Sequence, residues 1–178
     1  MYTAMKRANF LSPLKYLFPC FLFFLVLGLS SLAAQDDRTF PWSLGAGLEV
    51  NLNTREGMAM GYGAGLDRYF FYDGDRGVFR AGVKAVMHTD FDSITGMEAD
   101  LYARVNILRI WRGDIFTQLS WGVATFREDA LTANTMLMDF TAGYRFTLVR
   151  GFYLEPYVRT GFPFLFGGGI TAGHRLAF

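Results

Sequence analysis

Apolar and polar residues alternate with a period of two through most of the chain from Trp42 onward. That spacing sends successive side chains to opposite faces of a β-strand. In "WSLGAGLEVNL", Trp42, Leu44, Ala46, Leu48 and Val50 share one face, and Ser43, Gly45, Gly47, Glu49 and Asn51 share the other. "MAMGYGAGLDRYFFY" sets Met58, Met60, Tyr62, Ala64 and Leu66 against Ala59, Gly61, Gly63, Gly65 and Asp67. "VFRAGVKAVMH" sets Phe79, Ala81, Val83, Ala85 and Met87 against Arg80, Gly82, Lys84, Val86 and His88. "GMEADLYARVNI" sets Met97, Ala99, Leu101, Ala103, Val105 and Ile107 against Glu98, Asp100, Tyr102, Arg104 and Asn106. Four further segments follow the same rule, near residues 115–124, 136–147, 152–161 and 170–178. Turn-type stretches separate them: "NTREG", "DGDRG", "RGD", "REDALTAN" and "RG".

The pattern therefore predicts eight strands of roughly 9–14 residues and no long helix. Strands of about 9–11 tilted residues cross a membrane, and an even number closes an antiparallel barrel. Alternation alone also fits a soluble barrel with an apolar interior. The composition of the polar face separates the two. It carries Glu49, Asp67, Glu98, Asp100, Asp139 and Glu155 against Arg80, Lys84, Arg104, Arg145, Arg159 and Arg175, interleaved with glycines. Charges facing water have no need of near balance or of small neighbours. Charges enclosed in a narrow eight-stranded lumen need both, because buried ions persist only when paired and hydrogen-bonded. The twelve are expected to form one ion-paired network inside the barrel.

The apolar face sorts by position as well. Trp42, Phe70, Tyr72, Phe79, Trp111, Tyr144, Phe146, Phe152 and Phe178 gather toward one rim, as in the aromatic girdles of membrane barrels. Met58, Met60, Met87, Met97, Met136 and Met138 gather toward the other, a mouldable surface for acyl chains or a partner.

Residues 1–34 have a different character. Lys6, Arg7 and Lys15 precede the apolar run "FLFFLVLGL", which is followed by "SSLAA". This is the layout of a cleavable secretory signal peptide, with cleavage expected after Ala33 or Ala34. The mature barrel domain is then 35–178. The sole cysteine, Cys20, lies upstream of the apolar run, which argues against lipidation and leaves no disulfide in the mature chain. Removing the leader leaves 14 Lys and Arg against 16 Asp and Glu, a charge near −2 that gives no basis for binding nucleic acid.

The final residues, "TAGHRLAF", place a polar residue (Thr171) two before Gly173, then apolar residues at Leu176 and Phe178. This resembles the C-terminal signal read by the barrel-assembly machinery. With the leader and eight amphipathic segments, residues 40–178 resemble the small eight-stranded bacterial outer-membrane β-barrels of the OmpA/OmpX/OmpW class. The resemblance implies an all-β, antiparallel up-and-down transmembrane barrel in the outer membrane, surrounded by its lipid. Likeness to the OmpW kind implies passage of small hydrophobic molecules. Three features depart from the class. His174 stands on the lipid face, and Pro156 stands within a strand, where a bulge or slipped register is expected. The outer loops, near 53–57, 89–95, 127–134 and 163–167, are short.

Candidate chemistry is sparse. "HTDFDS" offers His88 with Thr89, Asp90, Asp92 and Ser93 at the outer rim, the only set from which a lipid A-modifying site is conceivable. A polar rim histidine among ordinary loop acids is the favoured reading, because hydroxyls and carboxylates abound in any loop. "GYGAGLD" lies inside an alternating strand with no helix after it, so it is no phosphate loop. "DGDRG" suits a tight turn better than a calcium loop, and the scattered acids lack metal-ligand spacing. No cofactor, metal or catalytic residue is expected. The preferred function is a structural, membrane-stabilising barrel with a closed lumen. The alternatives are a surface adhesin or host-factor binder acting through "REDALTAN", and the lipid enzyme.

Overall fold

The computed structural model describes residues 38–53, 57–90, 94–128, 131–148 and 151–177. The leader at 1–34, Asp92, Ser93 and Phe178 lie outside them. Eight strands follow in order: β1 (Trp42–Asn53), β2 (Gly57–Asp73), β3 (Arg76–Thr89), β4 (Ile94–Ile110), β5 (Gly113–Glu128), β6 (Leu131–Thr147), β7 (Phe152–Phe162) and β8 (Phe166–Leu176). Each pairs antiparallel with its neighbours, and β8 returns to β1, closing the barrel.

Ladder partners define the tilt. From Tyr69 on β2 the pairing runs through Arg80, Arg104, Gln118, Thr141, Arg159, Gly167 and Asn51, and returns to β2 at Ala59, ten residues from its start. With strands ~4.8 Å apart and ~3.3 Å per residue, that stagger tilts eight strands by about 40°. An 11-residue strand such as β7 then rises about 27 Å along the axis, close to the apolar band of a bilayer-spanning barrel.

The strands are longer than the alternation implied, at 11–17 residues, because pairing continues into sequence that reads as loop. Most of "REDALTAN" is hairpin: Phe126 pairs with Ala133, Arg127 with Thr132 and Glu128 with Leu131, leaving only 129–130 as the connection. Pro156 causes neither a bulge nor a slip. Gly143 opposite Tyr157 and Phe146 opposite Leu154 keep one register, and only the two pairs between them are unformed. The missing N–H of proline is tolerated on the side facing β6, while Pro156 still stands opposite Ile170 on β8. Bulges occur instead near Tyr69–Tyr72 and Asn106–Leu108. The first turns Phe70 and Phe71 outward together, so Phe71 takes the rim place expected of Tyr72. The Tyr72 hydroxyl instead donates to the Tyr69 carbonyl.

The two faces divide as the alternation implies. Most leucines and valines, all six methionines of the strands and most rim aromatics lie outward; Val86 and Leu137 point inward, and the largest fully enclosed side chains are Arg80, Arg145 and Arg175. The rim nearest Trp42 and Leu176 is stitched by ring contacts, Tyr144 on Phe146 at 4.3 Å and His174 on Phe152 at 4.6 Å. That contact gives the outward-facing His174 an aromatic neighbour at the rim.

The glycines serve a purpose other than making room for arginine. Nearly every inward aromatic ring stands directly across the ladder from a glycine: Tyr102 from Gly82, Phe126 from Gly96, Phe116 from Gly143, Tyr157 from Gly169 and Tyr153 from Gly173. The ring folds down over the neighbouring backbone, leaving the axis to the charged chains. A Cβ on Gly82 would lie 2.8 Å from Tyr102 Cζ and 2.7 Å from Asp67 Cβ, whereas one on Gly65 would meet nothing nearer than 3.3 Å. Gly82→Val is therefore expected to destabilise the folded barrel by about 1–3 kcal/mol. Gly65→Ala is expected to shift it by much less. Urea midpoints of the heat-modifiable gel band would compare the two.

Candidate functional site

All twelve charged residues singled out by the alternation point into the lumen, and eleven of them are buried; the Lys84 side chain keeps 16% exposure. Eleven of the twelve separate into two clusters, each organised by one residue of β7.

The inner cluster centres on Glu155. Its Oε1 accepts from Arg104 NH1 at 2.7 Å, from Arg80 NH2 at 3.2 Å and from Arg145 Nε. Asp67 Oδ2 lies 3.6 Å from both Arg80 and Arg145 and accepts the Tyr102 hydroxyl at 2.8 Å. The guanidiniums also find ring faces, with Arg145 3.8 Å above Tyr153 and Arg104 3.9 Å above Phe116. Arg104 Nε donates to Gln118, and Arg145 NH1 reaches Ser43 on β1. Three cations face two anions.

The outer cluster inverts the arrangement around Arg159. Its NH1 donates to Glu49 Oε1 at 2.7 Å and to Glu98 Oε2 at 3.1 Å, and its NH2 lies 3.1 Å from Asp139 Oδ2. Lys84 Nζ stands between Glu49 and Asp100, 3.8 Å from each. Tyr157 donates to Glu49 Oε2 at 2.7 Å. Four carboxylates face two permanent cations here, so the lumen is polarised, negative toward the outer mouth and positive toward the inner.

Arg175 stands apart, near the inner end, with NH2 3.3 Å from Thr147 Oγ1. Of the terminal motif, Gly173 lies beneath the Tyr153 ring, Thr171 packs beside Gly45 and Gly47, and Leu176 pairs with Trp42 at the rim. Phe178 lies outside the described residues.

Several lumen residues escaped the sequence reading. Asp114, taken as part of the "RGD" turn, is buried and receives Arg109 at 3.1 Å and Arg76 at 3.2 Å. The alternation already placed it in phase with Phe116 and Gln118. His88 does not join Thr89 and Asp90 in a catalytic arrangement. It points inward, with Nε2 3.2 Å from Glu98 Oε1, while Asp90 caps its own loop by accepting the Ile94 amide. Phe164, from the β7–β8 connection, has no signal in the alternation. It is folded into the outer mouth against His88 at 5.0 Å and edge-on to Phe126 at 5.8 Å. The loop is held there by Leu165 N to Leu52 O at 3.1 Å and Thr160 Oγ1 to Leu165 O at 2.7 Å.

The arrangement is a closed barrel stopped at three levels: an aromatic plug outside, a salt-bridged knot at mid-height, and Asp114 with its arginines inside. A cavity of about 50 Å³ runs along the glycine wall of β1 and β2 between the two clusters, space for a few waters.

No protein-family model matches the sequence, and no curated protein matches it. Solved structures do match in fold. The N-terminal β-barrel domain of Pseudomonas aeruginosa OprF superposes with a TM-score of 0.56 at 13% identity, over 78% of this chain and 98% of that one. Neisserial surface protein A (NspA) gives 0.53 at 11% identity, over 77% and 96%. Taken with a lumen of paired charges and an exterior of leucine, valine, methionine and aromatic side chains, the likeness gives the conclusion that this chain has the fold of the small eight-stranded outer-membrane β-barrels.

Proposed function

We propose that the protein is a non-catalytic structural barrel of the outer membrane, a rigid closed peg that orders surrounding lipid rather than a channel. The observation that carries this reading is the Glu155 knot, in which arginines from β3, β4 and β6 meet one carboxylate from β7 across the barrel. Spanning the lumen with side chains costs desolvation and rotamer freedom, and it removes the water path a pore would need. The same knot offers an apolar solute no continuous path, so transport of small hydrophobic molecules through the centre is not part of the proposal. Connections of two to four residues at the outer end give an adhesin or host-factor site little surface. Outer-membrane lipid and the barrel-assembly machinery are the partners this reading requires.

In planar bilayers the protein is expected to leave the current at baseline. Phe164→Ala is expected to do the same, because the barrier lies below the plug. Steady, large steps from the wild-type protein would overturn the closed-peg reading, and steps appearing only in the variant would move the barrier to the outer mouth.

A further inference from the structure

The outer cluster is short of positive charge by two. Glu49, Glu98, Asp100 and Asp139 are all buried, and only Lys84 and Arg159 oppose them. Within this cluster Glu49, His88 and Glu98, from β1, β3 and β4, bring one ligand atom each to within 4.8 Å of one another. His88 Nε2 lies 3.2 Å from Glu98 Oε1 and 3.9 Å from Glu49 Oε1. Both His88 and Glu98 are more than nine-tenths buried. Among the described residues, Nε2 and Glu98 Oε1 face each other without hydrogen bonds to any other group. A divalent ion would supply both of the missing charges.

We propose that Glu49, His88 and Glu98 form a binding site for a divalent transition ion of the Zn²⁺ class, inside the outer half of the barrel. Donor atoms of a tetrahedral zinc site, at ~2.0–2.2 Å from the metal, stand about 3.4 Å apart, a value that the separations of 3.2 and 3.9 Å bracket. An imidazole with two carboxylates suits zinc and its neighbours better than magnesium or calcium, which take oxygen alone. The carboxylates can divide their oxygens between the ion and the existing cations. Glu98 would bind through Oε1 while Oε2 keeps Arg159. Glu49 would bind through Oε1, releasing Arg159 NH1 and Asn51 Nδ2 and keeping Tyr157 and Lys84 on Oε2. Arg159 would remain on Asp139. A small cavity at the outer mouth, lined by Asn51, His88, Phe126 and Phe164 among others, touches the histidine and supplies the way in.

The test is zinc titration of the detergent-folded mature barrel at neutral pH, with Co²⁺ as a spectroscopic stand-in. One Zn²⁺ per barrel is expected to bind and to raise the unfolding midpoint, since a ligand that prefers the native state stabilises it by mass action. Co²⁺ is expected to show the intense visible bands of a four-coordinate site. His88→Gln, which keeps a polar group of similar reach, is expected to weaken zinc binding at least tenfold and to abolish the midpoint rise. Cobalt bands absent from the folded wild-type protein would overturn the proposal even if the variant fails to fold. So would zinc affinity unchanged in His88→Gln, or binding of calcium and magnesium as tight as that of zinc.

Discussion

Glu155→Gln is expected to lower the stability of the folded barrel by about 3–5 kcal/mol, the usual penalty for removing one member of a buried ionic group. The substitution keeps the shape of the side chain and removes only its charge. Arg80, Arg104 and Arg145 then face one another with Asp67 as their remaining anion, 3.6 Å from two of them. The residual positive charge lies where little water can reach it, so the loss should appear as a lower urea midpoint and as weaker resistance of the folded gel band to heat. A second substitution identifies the cause. Arg104→Gln removes one of the stranded cations, so the pair Glu155→Gln/Arg104→Gln is expected to regain about 1 kcal/mol or more over the single variant. Additive losses would mean that the lumen is wet enough to screen the charges and that the knot contributes little.

Arg159→Gln is the opposite experiment and should be of similar size, about 3–5 kcal/mol. Here one cation is withdrawn from Glu49, Glu98 and Asp139, leaving Lys84 alone among four carboxylates. Glutamine can still donate to one of them but not to all three. Asp139→Asn in the same chain is expected to recover part of the loss, while Asp114→Asn, whose carboxylate pairs with Arg76 and Arg109 at the other end of the lumen, should add to it. Rescue by the first and none by the second would show that the effect is local electrostatics rather than general weakening of β7.

The fold was legible because a strand's period is its simplest property, and here the chemical contrast between the faces is strong. Arg80 and Ala81, or Glu98 and Ala99, cannot exchange faces without placing a charge in lipid. Closeness to a rim was also legible, since residues beside a turn lie at one end of an up-and-down barrel. What escaped is of two kinds. Strand ends depend on hairpin pairing, which polar residues such as Arg127 and Thr132 join without leaving an apolar signature. Cross-barrel meetings depend on the stagger accumulated over several strands, so nothing in the spacing of Glu49, His88 and Glu98 announces that they converge. Asp114 was lost because a charged residue next to a glycine reads as turn until its phase with Phe116 is counted. The role of the glycines was misjudged for a related reason. Their partners are rings one strand away, such as Tyr153 opposite Gly173, rather than the arginines beside them in the sequence.

The placement of both hubs on β7 bears on the seam where the last strand meets the first. Arg159 and Tyr157 grip Glu49 on β1, and Arg145 on β6 holds Ser43 of the same strand. Prising β1 from β8 would therefore break more than a row of backbone bonds: it would drag apart opposite charges that have no solvent to receive them. A sideways gate for lipid is closed by the same chemistry that stops the centre, and unzipping should proceed all at once or not at all.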